Sequence, residues 1–232
     1  MPPKITLSMV VRNEANRYLR RVLEKARMYI DEAVIIDDAS TDRTPEICQE
    51  VLQNVKLHLI KNSVSKFGNE VLLRKQQWEE TIKTNPQWIL NLDADEMFEN
   101  KFKHEVKNLI AMPNADAFFF RLYDFWSEKH YRSDRFWCAH QAYRWLFLLR
   151  YQPDAPVRWP DSAQHCGRFP ILPFQCPKKS SLRIKHYGWA NEEDRLAKYN
   201  RYKKLDPDAK YGWKEQYESI LDLNPNLIVW LE

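Results

Sequence analysis

The chain has 232 residues, a formal net charge of +4 and 44% hydrophobic residues. That length suits one α/β domain, or a domain with a small appendage, and so slight a positive charge permits an anionic substrate without calling for nucleic acid. No stretch reaches the roughly 20 apolar residues that span a bilayer, and Met1-Pro2-Pro3-Lys4-Ile5 lacks a signal-peptide core, so the expectation is a cytoplasmic protein free to rest on a membrane surface.

In chain order, Ile5 to Val11 is apolar and β-rich, a first strand ended by Arg12-Asn13-Glu14. Leu19, Val22, Leu23 and Ala26 recur at helical spacing and predict a helix from about Glu14 to Tyr29. Ala33 to Ile36 is a second strand, ending in Asp37-Asp38-Ala39-Ser40-Thr41-Asp42-Arg43-Thr44-Pro45. Thr44 followed by Pro45 starts the next helix, with Ile47, Val51 and Leu52 on its apolar face. A third strand runs from Val55 to Ile60, a polar loop continues to about Gly68, Val71 to Thr84 reads as helix, and Trp88 to Leu92 as strand. This alternation predicts a mostly parallel central sheet flanked by helices.

Ligands of such sheets bind beyond the carboxyl ends of the strands. Arg12-Asn13-Glu14, Asp37-Asp38 and Asp93-Ala94-Asp95-Glu96 all fall at that edge. Carboxylates crowded there repel each other and are costly to desolvate. A hard divalent cation, Mg²⁺ or Mn²⁺, offsets that cost and suits phosphate.

After residue 100 the pattern loosens. Ala117 to Tyr123 and Trp145 to Tyr151 read as strands, Pro153 to Pro177 as a long loop, Arg183 to Tyr187 as a last strand, and Asn191 to Lys204 as a helix with Leu196, Tyr199 and Tyr202 on one face. The expectation is a single domain over 1–232, with a nucleotide-binding half (1–100) and a more irregular acceptor half (101–232). Cys48, Cys138, Cys166 and Cys176 have no paired C-x-x-C spacing, and with His140 and His165 they match no common zinc pattern.

Val10-Val11-Arg12-Asn13-Glu14, Ile35-Ile36-Asp37-Asp38-Ala39-Ser40-Thr41-Asp42 and Leu92-Asp93-Ala94-Asp95-Glu96 resemble the successive signatures of family 2 glycosyltransferases with the GT-A fold. The resemblance implies transfer of a sugar from a nucleotide-sugar donor, with inversion at the anomeric carbon and with Mn²⁺ or Mg²⁺. Carried over by position, Val11, Arg12 and Glu14 sit beside the nucleotide, and Asp37 or Asp38 hydrogen-bonds the base. A carboxylate there suits the N–H of uracil or thymine, hence a UDP- or dTDP-sugar. Arg74 falls near base and phosphates, Asp93 faces ribose or metal, Asp95 binds the metal, and His186 completes the metal site. The acceptor is expected to be a saccharide or glycoconjugate, as in surface polysaccharide synthesis.

Inversion calls for a carboxylate base within about 3 Å of the acceptor hydroxyl. The candidates are Asp161 and Asp134, with Asp124 third. Many relatives have a His-Glu pair in this region, where this chain has Gln164-His165-Cys166. Trp126, Trp137, Trp159 and Trp189 are candidates for stacking on sugar rings. The run Arg195, Lys198, Arg201, Lys203 and Lys204 reads as a solvated helix face, or as contact with an anionic acceptor or membrane. Two other readings compete. A sugar nucleotidyltransferase needs a Gly-rich loop after the first strand, and Arg12-Asn13-Glu14 has none. A non-catalytic carbohydrate-binding relative is disfavoured by the intact Asp93 and Asp95.

Overall fold

The computed structural model describes residues 3–161, 166–210 and 212–232. Four parallel strands form its first part: β1 (Ile5–Val11), β2 (Glu32–Asp37), β3 (Lys56–Lys61) and β4 (Trp88–Asn91). β1 is buried along its whole length, as expected of a strand covered on both faces. Helices α1 (Leu19–Ala26) and α2 (Thr44–Val51) cover one face, and α3 (Glu70–Ile82) covers the other through Leu73 against Val10 and Ile36. Pro45 stands in the first turn of α2, where a missing N–H costs nothing.

The second part extends the same sheet. β5 (Glu96–Phe98), α4 (Phe102–Ile110), β6 (Ala117–Asp124), β7 (His130–Arg132), β8 (Trp145–Arg150) and β9 (Pro177–His186) follow in turn. The eight-stranded order is β3-β2-β1-β4-β8-β6-β9-β5. β8 pairs antiparallel with β4 and β6, β6 and β9 are parallel, and β5 closes the far edge antiparallel to β9. α5 (Glu192–Leu205), α6 (Lys214–Ser219) and β10 (Leu227–Val229), which pairs with β7, complete the described chain.

α1 begins at Leu19, later than the sequence predicts. Thr44 Oγ1 and Asp42 Oδ2 accept the backbone N–H groups of Glu14 and Ala15, so these residues are held to the β2–α2 loop instead of starting a helix. β9 runs ten residues, reaching back to Pro177 through its pairing with β6. β5 and α4, absent from the sequence reading, bury Phe98 and Phe102 in a stack with centroids 3.6 Å apart. Each such buried ring contributes roughly 1.5–3 kcal/mol. One core cluster therefore runs from Ile5 to Tyr187, through both parts.

Candidate active site

The carboxyl ends of β1, β2 and β4 meet at one edge, and the turn after β1 is shaped to let them. Asn13 and Ala39 both adopt positive φ, 54° and 60°, which turns each chain sharply as it leaves its strand. Asn13 Oδ1 accepts from the Thr41 backbone N–H at 2.8 Å, and Ser40 Oγ accepts from that of Asn13 at 3.0 Å. The two loops thus brace each other. Val11 is buried and its carbonyl accepts from the Asp38 N–H.

Asp38 is fully buried and accepts from Asn62 Nδ2, Ser65 Oγ and the backbone N–H groups of Lys66 and Phe67. Burial raises its pKa, but these hydrogen bonds outweigh it and hold the carboxyl below its ordinary range. Asp38 thus organises the loop over residues 62–67. Arg12 joins that loop by donating to Ser65 Oγ at 2.7 Å. Asp37 is also buried, and its Oδ1 has no hydrogen-bond partner among the described residues.

Asp93 leaves β4 facing two guanidinium groups. Arg74 Nη2 donates to its Oδ1 at 3.0 Å, and Arg168 Nη2 lies 3.7 Å from its Oδ2. Burial opposes ionisation, and the two arginines overcome it, so the Asp93 carboxyl lies below the usual range. Glu96 locks the turn by accepting from the Asp93 backbone N–H at 2.8 Å and from both Arg168 Nη atoms at 2.7 and 2.9 Å. Arg168 escaped the sequence reading, since a lone arginine in a proline-rich loop carries no periodic signal and its partner is 72 positions away.

Asp95 turns the other way. Its Oδ2 lies 3.6 Å from His186 Nε2 and 3.5 Å from Lys198 Nζ, and its carbonyl accepts from the Tyr187 N–H at 2.8 Å. Burial raises its pKa, and Lys198 and His186 overcome that to hold it far below normal. Asp124 Oδ1 pairs with His186 Nδ1 at 2.7 Å, so Asp124, third candidate for the base, instead orients the imidazole. Burial lowers the His186 pKa, but Asp95 and the bond to Asp124 push it up to about 10. Gly188 completes the cluster: a Cβ there would collide with Asp95 Oδ2, His186 Nε2 and Lys198 Nζ.

Glu14 stands nearby. Its Oε1 accepts from Arg17 Nη1 at 3.1 Å, while its Oε2 is buried with no partner among the described residues. Burial pushes its pKa up to about 7, with Arg17 opposing and Asp95 adding to the rise. Arg17 also pairs with Asp194 on α5 at 3.0 Å. Asn191 caps α5, its Oδ1 accepting from the Asp194 N–H, and three acids occupy the first turn, where both features stabilise a helix. The basic run on α5 divides. Arg201, Lys203 and Lys204 are exposed, but Arg195 Nη1 donates to the carbonyls of Trp126 and Trp189, and Lys198 turns into the site. Leu196 is exposed, so Tyr199 and Tyr202 alone carry the apolar side.

Asp134 lies in an ion pair with buried Arg132, which also pairs with Asp222 and donates to the Ser219 carbonyl. Asp161 is exposed, next to residues 162–165; Gln164 and His165 lie outside the described residues. Trp126, Trp137 and Trp189 are buried against one another, with Trp126 and Trp137 centroids 4.6 Å apart, and of the three Trp189 packs beside His186 and Lys198. Trp159 packs partly buried beside Trp78, Ile89 and Leu149.

The glycosyl transferase family 2 model matches residues 6–172. The chain belongs to that family. It is 24% identical over 240 residues to an uncharacterized protein of Mycobacterium tuberculosis, covering 93% of this chain and 54% of that one. It is 30% identical over 115 residues to an uncharacterized glycosyltransferase of Rickettsia bellii, covering 50% of this chain and 35% of the relative. The chain thus spans about half the length, or less, of these relatives. Among solved structures it resembles S. aureus TarS with a TM-score of 0.59 at 13% identity, covering 94% of this chain and 42% of TarS. The 1–349 portion of TarS in complex with UDP matches with a TM-score of 0.54 at 13% identity, over 94% of this chain and 69% of that one. The likeness establishes the GT-A fold that the sequence motifs imply.

The donors around Gly188 fit a divalent cation. Asp95 would supply a carboxylate oxygen, and His186 an imidazole nitrogen once its Nε2 proton is released, both donor types suited to Mn²⁺ or Mg²⁺. No group of three or more His, Cys, Asp or Glu side chains arranged to hold a metal occurs among the described residues. An ion held by these two side chains would need its other ligands from phosphate and water, the usual habit of Mg²⁺.

Proposed function

We propose that this chain transfers a sugar from a nucleoside-diphosphate sugar to an acceptor hydroxyl with inversion, assisted by Mn²⁺ or Mg²⁺. One observation carries the reading: Asp93 and Asp95, one residue apart, are turned to different tasks. Asp93 is fixed by Arg74, Arg168 and Glu96 at the edge shared with Arg12 and Asp38. Asp95 meets His186 in the Gly188 cradle. The first arrangement suits ribose and phosphate, the second the cation at the diphosphate. TarS forms complexes with UDP and with UDP-GlcNAc, which supports a uridine nucleotide as donor here, and dTDP-sugars share the same N–H.

When bound, the divalent ion neutralises charge developing on the departing diphosphate. The protein's own groups do the rest. Arg12, Glu14, Val11 and Asp37 border the nucleotide, with the Asp37 Oδ1 atom unpartnered, and Asp38 holds the loop beneath it. Arg74 fixes Asp93 and adds positive charge near the phosphates. The acceptor oxygen forms its bond to the anomeric carbon on the face opposite the breaking bond to diphosphate, and a carboxylate takes its proton. Asp161 is the preferred base, because the Asp134 carboxylate is held by Arg132. The acceptor is a saccharide or glycoconjugate, which fits synthesis of a surface polysaccharide.

The test is release of nucleoside diphosphate from a panel of nucleotide sugars with Mn²⁺, in wild type and Asp95→Asn. Turnover in wild type should fall at least about 100-fold in the variant, the scale of losing one group that stabilises developing charge, with the circular dichroism spectrum unchanged. Equal turnover in the two proteins would refute the role of Asp95.

A further inference from the structure

Lys198 is the one member of the α5 basic run that faces Asp95. Its Nζ lies 3.5 Å from Asp95 Oδ2, the same oxygen that faces His186 Nε2, and 4.3 Å from the centroid of the Trp189 ring. Its side chain is 14% exposed. Gly188 leaves room for the ammonium, since a Cβ there would strike it. The partly buried lysine is thus held on two sides, by a carboxylate and by an aromatic face, both of which favour a cation.

A divalent ion on Asp95 Oδ2 and His186 Nε2 would stand against this ammonium, and two cations that close in a partly desolvated site repel strongly. We infer that Lys198 is a built-in competitor for the divalent cation: it shares Asp95 Oδ2 with His186 before donor binds, and yields its place when metal and nucleoside diphosphate arrive together. The inference rests on the metal-assisted reading above and deepens it. The lysine stem is flexible and its head is a compact point charge, so it can leave Asp95 without disturbing α5. An anionic destination is supplied by the incoming diphosphate itself. Metal alone must expel Lys198 with little return. Metal with diphosphate gains phosphate ligands and offers the lysine a new partner. Binding of the two should therefore be mutually reinforcing, by the same factor in either direction.

The experiment is a titration of free Mn²⁺ by electron paramagnetic resonance, with and without UDP, on wild type, Lys198→Met and Lys198→Arg. Without UDP, Lys198→Met should bind Mn²⁺ about tenfold tighter than wild type or more, within the usual span of coupling factors. UDP should then improve Mn²⁺ affinity less in Lys198→Met than in wild type. Lys198→Arg keeps the charge and should bind UDP-free Mn²⁺ as weakly as wild type. Equal or weaker Mn²⁺ binding by Lys198→Met overturns the inference and leaves the metal site standing. Absence of Mn²⁺ binding in all three proteins, with and without UDP, overturns both. Matching circular dichroism spectra establish that the variants are folded, and Lys198→Gln provides the same comparison if the methionine variant is not.

Discussion

Glu14 is the residue whose surroundings are most at odds with its charge. It sits beside β1's carboxyl end with one oxygen on Arg17 and the other unpartnered, and burial lifts its pKa from 4.5 to about 7. A carboxyl whose folded pKa is raised contributes stability that is fully present below its unfolded pKa and is lost as pH rises through the folded one. The window here is about pH 4.5 to 7. Over it the native state should lose on the order of 2–3 kcal/mol from this group alone. Glu14→Gln keeps the shape and removes the titration. Urea unfolding at a series of pH values should show the wild-type curve falling across that window relative to the variant. Parallel curves for the two proteins would show that Glu14 does not titrate there. The residue scale also shows what the sequence could and could not reveal. Asp93, Asp95 and Asp38 declare themselves because acids after a buried strand are costly without a purpose. The motif does not tell Asp38, spent on its own loop, from Asp37, nor Asp93 from Asp95, because only the turn geometry aims them apart.

Among elements, the strands and helices that alternate up to β4 are legible, since each buries an apolar stripe against its neighbours in sequence. β5 is three residues long, too short for any periodicity, and directly follows the acidic motif. α4 had a readable signal in Phe102, Val106 and Ile110, all buried and four apart. β7 and β10 pair across nearly a hundred residues, and nothing local announces them. Lys198 could not be picked out of its basic run, because its direction depends on how α5 lies over Trp189. Glu96, at the start of β5, and Arg168, in the loop before β9, make an especially close tie. The Glu96 side chain is 3% exposed and receives both Arg168 Nη atoms, and the Arg168 guanidinium lies 4.2 Å from the centroid of Phe147. Removing one partner of a buried pair leaves an uncompensated charge and costs about 3–5 kcal/mol. Arg168→Met should therefore lower stability by that amount in chemical denaturation. The double variant Glu96→Gln/Arg168→Met should lose less than the sum of the two single losses, which a double-mutant cycle reads directly. Strictly additive losses would mean the pair acts as two independent residues.

At the scale of the whole molecule, the proposed division into a donor half and an acceptor half is not a division of the fold. A single sheet runs from β3 to β5, β8 hydrogen-bonds to β4 on one side and β6 on the other, and one core cluster joins Ile5 to Tyr187. The site is assembled from both parts of the chain: Asp95 follows β4, His186 ends β9, and Lys198 comes from α5. A ligand held by all three binds only the folded state, so its binding free energy adds to the stability of the whole chain. UDP with Mn²⁺ at about a hundred times its dissociation constant should add about 2.7 kcal/mol. For a chain of this size that corresponds to roughly 5–10 °C in Tm. Tryptophan fluorescence and far-ultraviolet circular dichroism should shift together, because unfolding of the continuous sheet is expected to be one cooperative transition. Asp95→Asn should remove most of the gain while unfolding in the same single step. A gain retained in that variant would place the nucleotide away from Asp95, and a shift in one probe alone would show that the two halves fold as separate units.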